Sequence, residues 1–224
     1  MPRQSFDRNI HHLQDEVLLL GSMAEQVLIQ SIDILKRRDI TAARQLVAND
    51  QLINEKRYAI ENNILILMAT QQPIAHDLRL LAALLEVITE LERIGDYAKG
   101  NANVTIRLGD ADVPIPIRDL ERMASLAADM LHRGLSAFVT ENVAQAHAIP
   151  AEDQVVDDLY LAIYRGLVKA MIANPAIIDQ TNLLMWVNHN LERAADRVTN
   201  ICERAVFIAT GELMEMDAED NETE

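Results

Sequence analysis

The sequence predicts an all-α protein built from two tandem, internally duplicated three-helix bundles. Half of the 224 residues are hydrophobic, but only 7 are glycine, 6 are proline and 4% are aromatic, which is typical of long helices. Apolar residues recur with a period of about 3.6 residues over six long stretches, as in amphipathic helices. The second half of the chain also repeats the landmarks of the first half, which indicates a duplication.

Three of the six helices are predicted in the first half. The first is expected over residues 6–38, and the second begins after Asp39, whose side chain can accept hydrogen bonds from free N–H groups at a helix start. The segment TQQPIAHD ends the second helix. Pro73 is expected in the first turn of the third helix, where its missing N–H costs nothing.

Residues 107–119, which contain one glycine and two prolines, are the predicted linker between the halves. The helices of the second half are predicted at 120–140, 143–172 and 176–210. The first bundle is accordingly assigned to residues 1–109 and the second to 110–212. Residues 213–224 are acidic and poor in apolar groups, so we expect them to form a disordered tail.

Composition excludes several classes of function. The formal net charge of -15 disfavours a nucleic acid or an anionic membrane as partner, and it favours cations and basic protein surfaces. Cys202 is the only cysteine, so neither an intrachain disulfide nor a thiolate metal cage can form. We find no run of about 18 consecutive apolar residues, and we expect a soluble, cytoplasmic protein without direct membrane insertion.

Paired acidic residues lie on the apolar faces of the third and sixth helices. Glu92 falls on the stripe occupied by the leucines of its helix, and Asp96 lies one turn further along. Glu192 and Asp196 repeat the pair a hundred residues later. Like charges at this spacing repel each other, and partial burial raises the cost, so protonation, arginines or a bound cation must offset it.

Antiparallel hairpins would bring further oxygen donors to these pairs. If the chain reverses near Pro73, Asp50 lies across from Asp96; the same reversal at Pro175 places Asp153 across from Asp196. We call the group in the first half the first cluster: Asp50, Asn54, Glu92 and Asp96. The group in the second half is the second cluster: Asp153, Asp157, Glu192, Asp196 and Asn200. Such oxygen-rich sets suit hard or borderline cations such as iron, manganese, magnesium or calcium, with zinc possible.

Two other interpretations remain open. With 35 acidic residues in the chain, a single acidic pair usually marks a solvated helix face, and Arg93, Arg193 and nearby lysines could neutralise the acids in structural salt bridges. His189 could join or orient a ligand, although a surface position is the simpler expectation. We find no glycine-rich phosphate loop, nucleophile elbow or HExxH motif, so the sequence indicates no enzyme.

The motifs QQPIAHDLR, ELERIGDYAKG and NLERAADRVTN, set in duplicated three-helix halves, resemble the PhoU family of phosphate-uptake regulators. The resemblance covers about residues 5–210. It implies a cytoplasmic protein, often dimeric, that binds multinuclear metal clusters through E/DxxxD motifs. It also implies a negative regulator of the phosphate-starvation response that links the ATPase subunit of the phosphate ABC transporter to a sensor histidine kinase.

The resemblance assigns the E/DxxxD motifs to Glu92 with Asp96 and to Glu192 with Asp196. Iron is the first candidate for the metal, with zinc, manganese, magnesium or nickel as alternatives. Because an amide, Asn54, replaces a carboxylate in the first cluster, that cluster is expected to be the weaker site. The alternative function, a ferritin-like di-metal carboxylate oxidase, requires Glu-x-x-His motifs, and the chain lacks the histidines at that spacing.

Overall fold

The computed structural model describes the chain over residues 2–216, with side chains from Gln4 onward. The α-helices within this range are α1 (Pro2–Arg37), α2 (Ile40–Gln71), α3 (His76–Leu108), α4 (Ile117–Thr140), α5 (Val143–Ala148), α6 (Asp153–Ala173) and α7 (Ile178–Thr210). Short 3₁₀ turns occupy Pro150–Glu152 and Pro175–Ile177. Six of the helices are long and residues 2–216 contain no strand, so the predicted all-α fold class is confirmed.

The turn between α2 and α3 differs from the prediction. Asp39 caps α2 as expected, because its Oδ1 accepts a hydrogen bond of 2.9 Å from the N–H of Ala42. Pro73, however, precedes α3 rather than lying in its first turn. Gln72 and Ala75 on either side both have a φ of 48°, and this left-handed backbone reverses the chain before a helix can begin.

The predicted fifth helix, residues 143–172, is interrupted near its start, and only its later part forms one long helix. Pro150 lacks the N–H that a continuous helix needs, and its ring would clash with the carbonyl group four residues earlier. A short α5 therefore ends at Ala148, and α6 begins at Asp153. Arg133 of α4 fixes the bend, since its two terminal nitrogens donate to the two carboxylate oxygens of Glu152 at 2.7 and 2.6 Å.

The two halves share one continuous core. Helices α1, α2 and α3 pack on one another, and α4, α6 and α7 form the corresponding set in the second half. The halves meet along two seams, where α1 packs against α4 and α3 packs against α7. Buried residues of both halves, including Leu20, Leu91, Phe138 and Leu191, belong to a single apolar cluster.

Polar contacts fix the antiparallel seam between α3 and α7. Arg79 donates to the carbonyl oxygen of Ile208 at the end of α7, and further along the seam Arg197 pairs with Glu90 at 3.3 Å. Both of these charged side chains are largely buried, at 11% and 15% exposure. These contacts therefore fix the register of α3 relative to α7.

Helix α1 is the one described helix that could span a membrane by length and composition. The stretch Gln4–Arg37 reaches a mean hydropathy of 1.4 over its most apolar 18-residue window. In this fold α1 packs against α2, α3 and α4, and its residues Val17, Leu20 and Ala24 are fully buried. One apolar face of α1 is therefore buried against its three neighbours, while Leu18, Leu19 and Ile29 remain exposed.

The predicted disordered tail is described only as far as Met216, and its other residues lie outside the described part of the chain. Met216 packs against the core, and its backbone N–H donates to Oε1 of the buried Glu203 at 2.8 Å. Residues 213–216 thus include a packed position where the sequence predicts none.

Candidate metal centres

The two hairpins have the register that the sequence predicts. In the first, Gly95 lets α2 and α3 approach closely, because a Cβ added there would lie 2.9 Å from Cδ1 of Ile53. In the second, the side-chain amide of Asn188 donates to the carbonyl oxygen of Tyr160 at 2.9 Å. These contacts bring the acidic residues of the paired helices to the same level.

The first cluster is centred on Asp50, whose side chain is only 8% exposed. Its Oδ2 accepts hydrogen bonds from Nδ2 of Asn54 at 3.2 Å and from Nζ of Lys99 at 2.7 Å. The same Lys99 ammonium lies 3.5 Å from Oδ1 of Asp96. A cationic side chain therefore lies between the acidic residues of α2 and α3.

Glu92 completes the first cluster. Burial raises the pKa of its half-buried carboxyl, and the negative charges of Asp96 and Asp50 raise it further, against the lowering effect of Arg57 and Arg93. The structure therefore brings all four predicted residues of the first cluster into one neighbourhood. Lys99 forms the ion pairs with the acids of this cluster. Arg93, which the salt-bridge interpretation proposed as a neutralising partner, is exposed.

The second cluster lines a cleft of about 400 Å³ between α6, α7 and the bend at Pro150. All five predicted residues of this cluster line the cleft, together with Arg193, Arg197, Thr199 and Met216. The bend that the sequence analysis missed forms part of the cleft, because it places Asp153 at the first position of α6. The cleft is accessible to a small cation.

Glu192 is electrostatically perturbed in the second cluster. Burial, followed by the charges of Asp196 and Asp157, raises its pKa to about 7, although Arg193 and Arg197 oppose the shift. Arg193 pairs with Asp196 at 2.9 Å. His189, which the simpler expectation places on the surface, is 45% exposed, and its Nδ1 lies 3.3 Å from Oε2 of Glu192 without forming a hydrogen bond to it.

The donor types of both clusters fit a hard or borderline cation, since they consist of carboxylate and amide oxygens. Within residues 2–216, however, no three His, Cys, Asp or Glu side chains converge on a common point as a formed metal centre would require. Asp50 and Asp196 are directed instead onto Lys99 and Arg193. The salt-bridge interpretation therefore describes these contacts, and metal ligation by the nine predicted residues stays a prediction.

One contact near the clusters was not predicted. Tyr97 of α3 interacts with the guanidinium group of Arg193 across the seam between the halves and is the largest cause that raises the pKa of Arg193. Sequence reasoning had no signal for this contact, because Tyr97 and Arg193 lie in different halves and meet only through the packing of α3 on α7.

Comparison with known proteins identifies the family. The sequence model of the PhoU domain matches the chain twice, over residues 17–105 and 120–205. The chain belongs to the PhoU family. The two matches coincide with the two halves of the duplication, and the resemblance inferred from the motifs is confirmed.

Curated PhoU relatives align over nearly the whole chain. A phosphate-specific transport system accessory protein PhoU homolog from Clostridium acetobutylicum is 31% identical over 218 residues, covering 97% of this chain and 100% of that protein. A homolog of the same name from Caulobacter vibrioides is 35% identical, covering 93% of this chain and 91% of its own length. Both alignments include both clusters.

Crystal structures of PhoU proteins share the fold. The phosphate transport system regulatory protein PhoU from Streptococcus pneumoniae superimposes with a TM-score of 0.86 at 29% identity, over 94% of this chain and 99% of that chain. PhoU from Pseudomonas aeruginosa gives the same TM-score at 27% identity, over 92% and 100% of the two chains. These relatives are accessory and regulatory proteins and not enzymes, so the expectation of a non-enzyme is confirmed and the di-metal oxidase is not favoured.

Proposed function

We propose that this PhoU-family protein is an accessory regulator of phosphate transport that acts in the cytoplasm. The observation that supports this role is the alignment, over nearly the full length of both chains, with accessory proteins of the phosphate-specific transport system. In the finer form of the proposal, the protein restrains the phosphate-starvation response by linking the ATPase subunit of the phosphate ABC transporter to a sensor histidine kinase.

The surface of the molecule suits protein partners. Apolar side chains remain exposed on five of the long helices, among them Tyr58 on α2, Ile172 on α6 and Trp186 on α7, at 62%, 76% and 55% exposure. The net charge of -15 favours basic protein surfaces and disfavours nucleic acid. A homodimer is part of this proposal, and sedimentation velocity at micromolar concentration tests it.

The two clusters are proposed to bind divalent cations, with iron first and zinc, manganese, magnesium or nickel as alternatives. The proposal is supported by the gathering of oxygen donors on both hairpins and by the cleft at the second cluster. A bound cation supplies positive charge between carboxylates that otherwise repel each other. The chain contributes Asp50 and Asp153 from α2 and α6, and it contributes the E/DxxxD residues from α3 and α7.

A complementation experiment tests the regulatory role. Deleting the chromosomal gene in the source bacterium should derepress a phosphate-starvation reporter in phosphate-rich medium, and a plasmid copy should restore repression. A copy with Glu192→Ala and Asp196→Ala should restore less repression. The control, Asp158→Ala with Asp179→Ala, also removes two acids, both exposed, one from α6 and one from α7. Full derepression that the wild-type plasmid cannot reverse would contradict the role.

Removal of metal tests the ligation. Elemental analysis of the purified protein should find metal in the wild type and less metal in the Glu192→Ala, Asp196→Ala variant. Chelation should lower the melting temperature and weaken binding to the transporter ATPase subunit, because a cation that binds the folded state stabilises it. An unchanged melting temperature together with unchanged affinity after chelation would exclude a role for metal in this function.

A further inference from the structure

Lys99 forms an ionic link across the first hairpin. Its Nζ donates to the buried Asp50 of α2 at 2.7 Å and lies 3.5 Å from Asp96 on its own helix, α3. The Lys99 side chain is itself only 35% exposed. A lysine ammonium is charged at neutral pH, and two carboxylates face this one. Lys99 therefore supplies positive charge between the two helices.

The duplication places a different residue at the matching position of the second half. The acidic pairs of α3 and α7 are offset by one hundred residues, and the residue that corresponds to Lys99 is Thr199. Thr199 is 5% exposed and lines the cleft of the second cluster. A neutral hydroxyl group thus stands in the second half where the first half has an ammonium group.

Arg193 does not play the same part in the second half. Its ion pair is with Asp196 on the same helix, α7, and it interacts with Tyr97 of α3. Arg193 therefore ties the second cluster to the first half of the molecule. Lys99, by contrast, joins the two helices that carry the first cluster.

We propose that Lys99 is a built-in cation of the first cluster and that it makes the two clusters unequal. The ammonium group joins α2 to α3 without metal, and it competes with any divalent cation for Asp50 and Asp96. The second cluster, with Thr199 at the corresponding position, takes a divalent cation more readily. The first part depends only on the contacts of Lys99, whereas the second part rests on the proposed metal binding.

The competition follows from the charges. Lysine ends in a compact, strongly hydrated point charge on a flexible stem, so it can leave the cluster when a divalent cation enters. Its departure costs the half-buried ion pair with Asp50, and this cost is subtracted from the binding of the incoming cation. The affinity of the first cluster is therefore set by Lys99 as well as by its oxygen donors.

A double-mutant cycle on metal-free, chelator-treated protein tests the link. Lys99→Met should lower the melting temperature by about 3 °C and should raise amide hydrogen exchange in α2 around Asp50. Asp50→Asn should have a similar effect. The melting temperature of the double variant should be little lower than that of either single variant, because both substitutions remove the same ion pair. Lys169→Met, which removes an exposed lysine from α6, is the control and should change neither measurement. Additive effects of the two single variants would overturn the link.

A titration with Mn²⁺ tests the competition. The titration uses a background with Glu192→Ala and Asp196→Ala, so that the first cluster alone is measured. There, Lys99→Met should bind Mn²⁺ about tenfold more tightly, as expected when a competing half-buried ion pair is removed. With the second cluster intact, Thr199→Lys should weaken Mn²⁺ binding by about the same factor, while Lys169→Met leaves it unchanged.

The outcomes separate this inference from the proposed function. If the wild type binds Mn²⁺ and neither Lys99→Met nor Thr199→Lys changes the affinity, the competition is wrong although metal binding stands. If no variant binds Mn²⁺, Fe²⁺ or Zn²⁺, the proposed metal binding fails and the competition fails with it. The double-mutant cycle still decides whether Lys99 links the helices.

Discussion

At the scale of single residues, the charge balance of each cluster depends on a few side chains. Glu192 is the clearest case, since its carboxylate is half-buried and is repelled by Asp196 and Asp157. Arg193 and Arg197 reduce the repulsion without cancelling it. The folded protein therefore holds a proton on Glu192 more tightly than the unfolded chain does.

The raised pKa of Glu192 predicts that the stability of the metal-free protein depends on pH. The pKa of Glu192 is about 7 in the folded state and near 4.5 in the unfolded chain, so the stabilising effect of its proton is complete below about pH 4.5 and is lost as the pH rises through 7. Relative to wild type, Glu192→Gln should therefore gain stability between pH 5 and pH 8, by an amount on the order of 2 kcal/mol. Urea denaturation of chelated protein measures the difference.

The control for this experiment is Glu212→Gln, which alters an exposed glutamate beyond α7. Its stability difference from wild type should not change between pH 5 and pH 8. A Glu192→Gln curve that runs parallel to wild type over this range would contradict the assignment of the titration to Glu192.

At the scale of secondary-structure elements, the bend between α5 and α6 sets the shape of the second cluster. Pro150 breaks the helix, and the two-point contact of Arg133 with Glu152 ties the bend to α4. Arg133 also lowers the pKa of the Glu152 carboxyl. Because Asp153 follows directly, this contact positions the first donor of the second cluster.

Loss of the Arg133 contact should loosen the bend. Arg133→Met is expected to destabilise the protein by only about 1 kcal/mol, because the pair is partly exposed, and to increase hydrogen exchange over residues 149–153. Arg133→Lys can make only one of the two contacts with Glu152, so its stability and its hydrogen exchange should lie between those of Arg133→Met and wild type. Arg165→Met, which removes an exposed arginine from α6, should leave exchange in the bend unchanged.

At the scale of the whole molecule, the two halves behave as one body because they share a core and a polar seam. Asn101 of α3 is fully buried and makes contacts to both α7 and α1. Its Oδ1 accepts from Asn190 of α7 at 3.0 Å, and its Nδ2 donates to Ser31 of α1 at 3.2 Å. Removing Asn101 leaves the buried hydroxyl of Ser31 and the partly buried amide of Asn190 without this partner.

The shared core predicts a single unfolding transition. Fluorescence of Trp186, the only tryptophan, reports on α7, and far-ultraviolet circular dichroism reports on all helices. The two denaturation curves should coincide. Asn101→Ala should shift both curves together, with a loss of about 1–3 kcal/mol, whereas Asn62→Ala on the exposed face of α2 should shift neither. Separate transitions would show that the halves unfold independently.

Most of the local structure could be predicted from the sequence because its causes are local. The apolar period of 3.6, the cap at Asp39 and the acidic pairs on α3 and α7 depend on neighbours within one or two turns. The predicted chain reversals near Pro73 and Pro175 set the expected facing positions, and with them the gathering of Glu92 and Asp96 near Asp50. The bend at Pro150 was missed because helical periodicity on both sides outweighed a single proline.

The sequence by itself determined that the chain forms six long helices in two related halves and that each half has acidic residues on facing helices. The tertiary structure decided what those acids contact. Whether Lys99 reaches Asp50, whether Arg193 meets Tyr97 and whether Met216 borders the second cluster depend on how helices pack at a distance along the chain. Such contacts join residues far apart in sequence, and no local pattern specifies them.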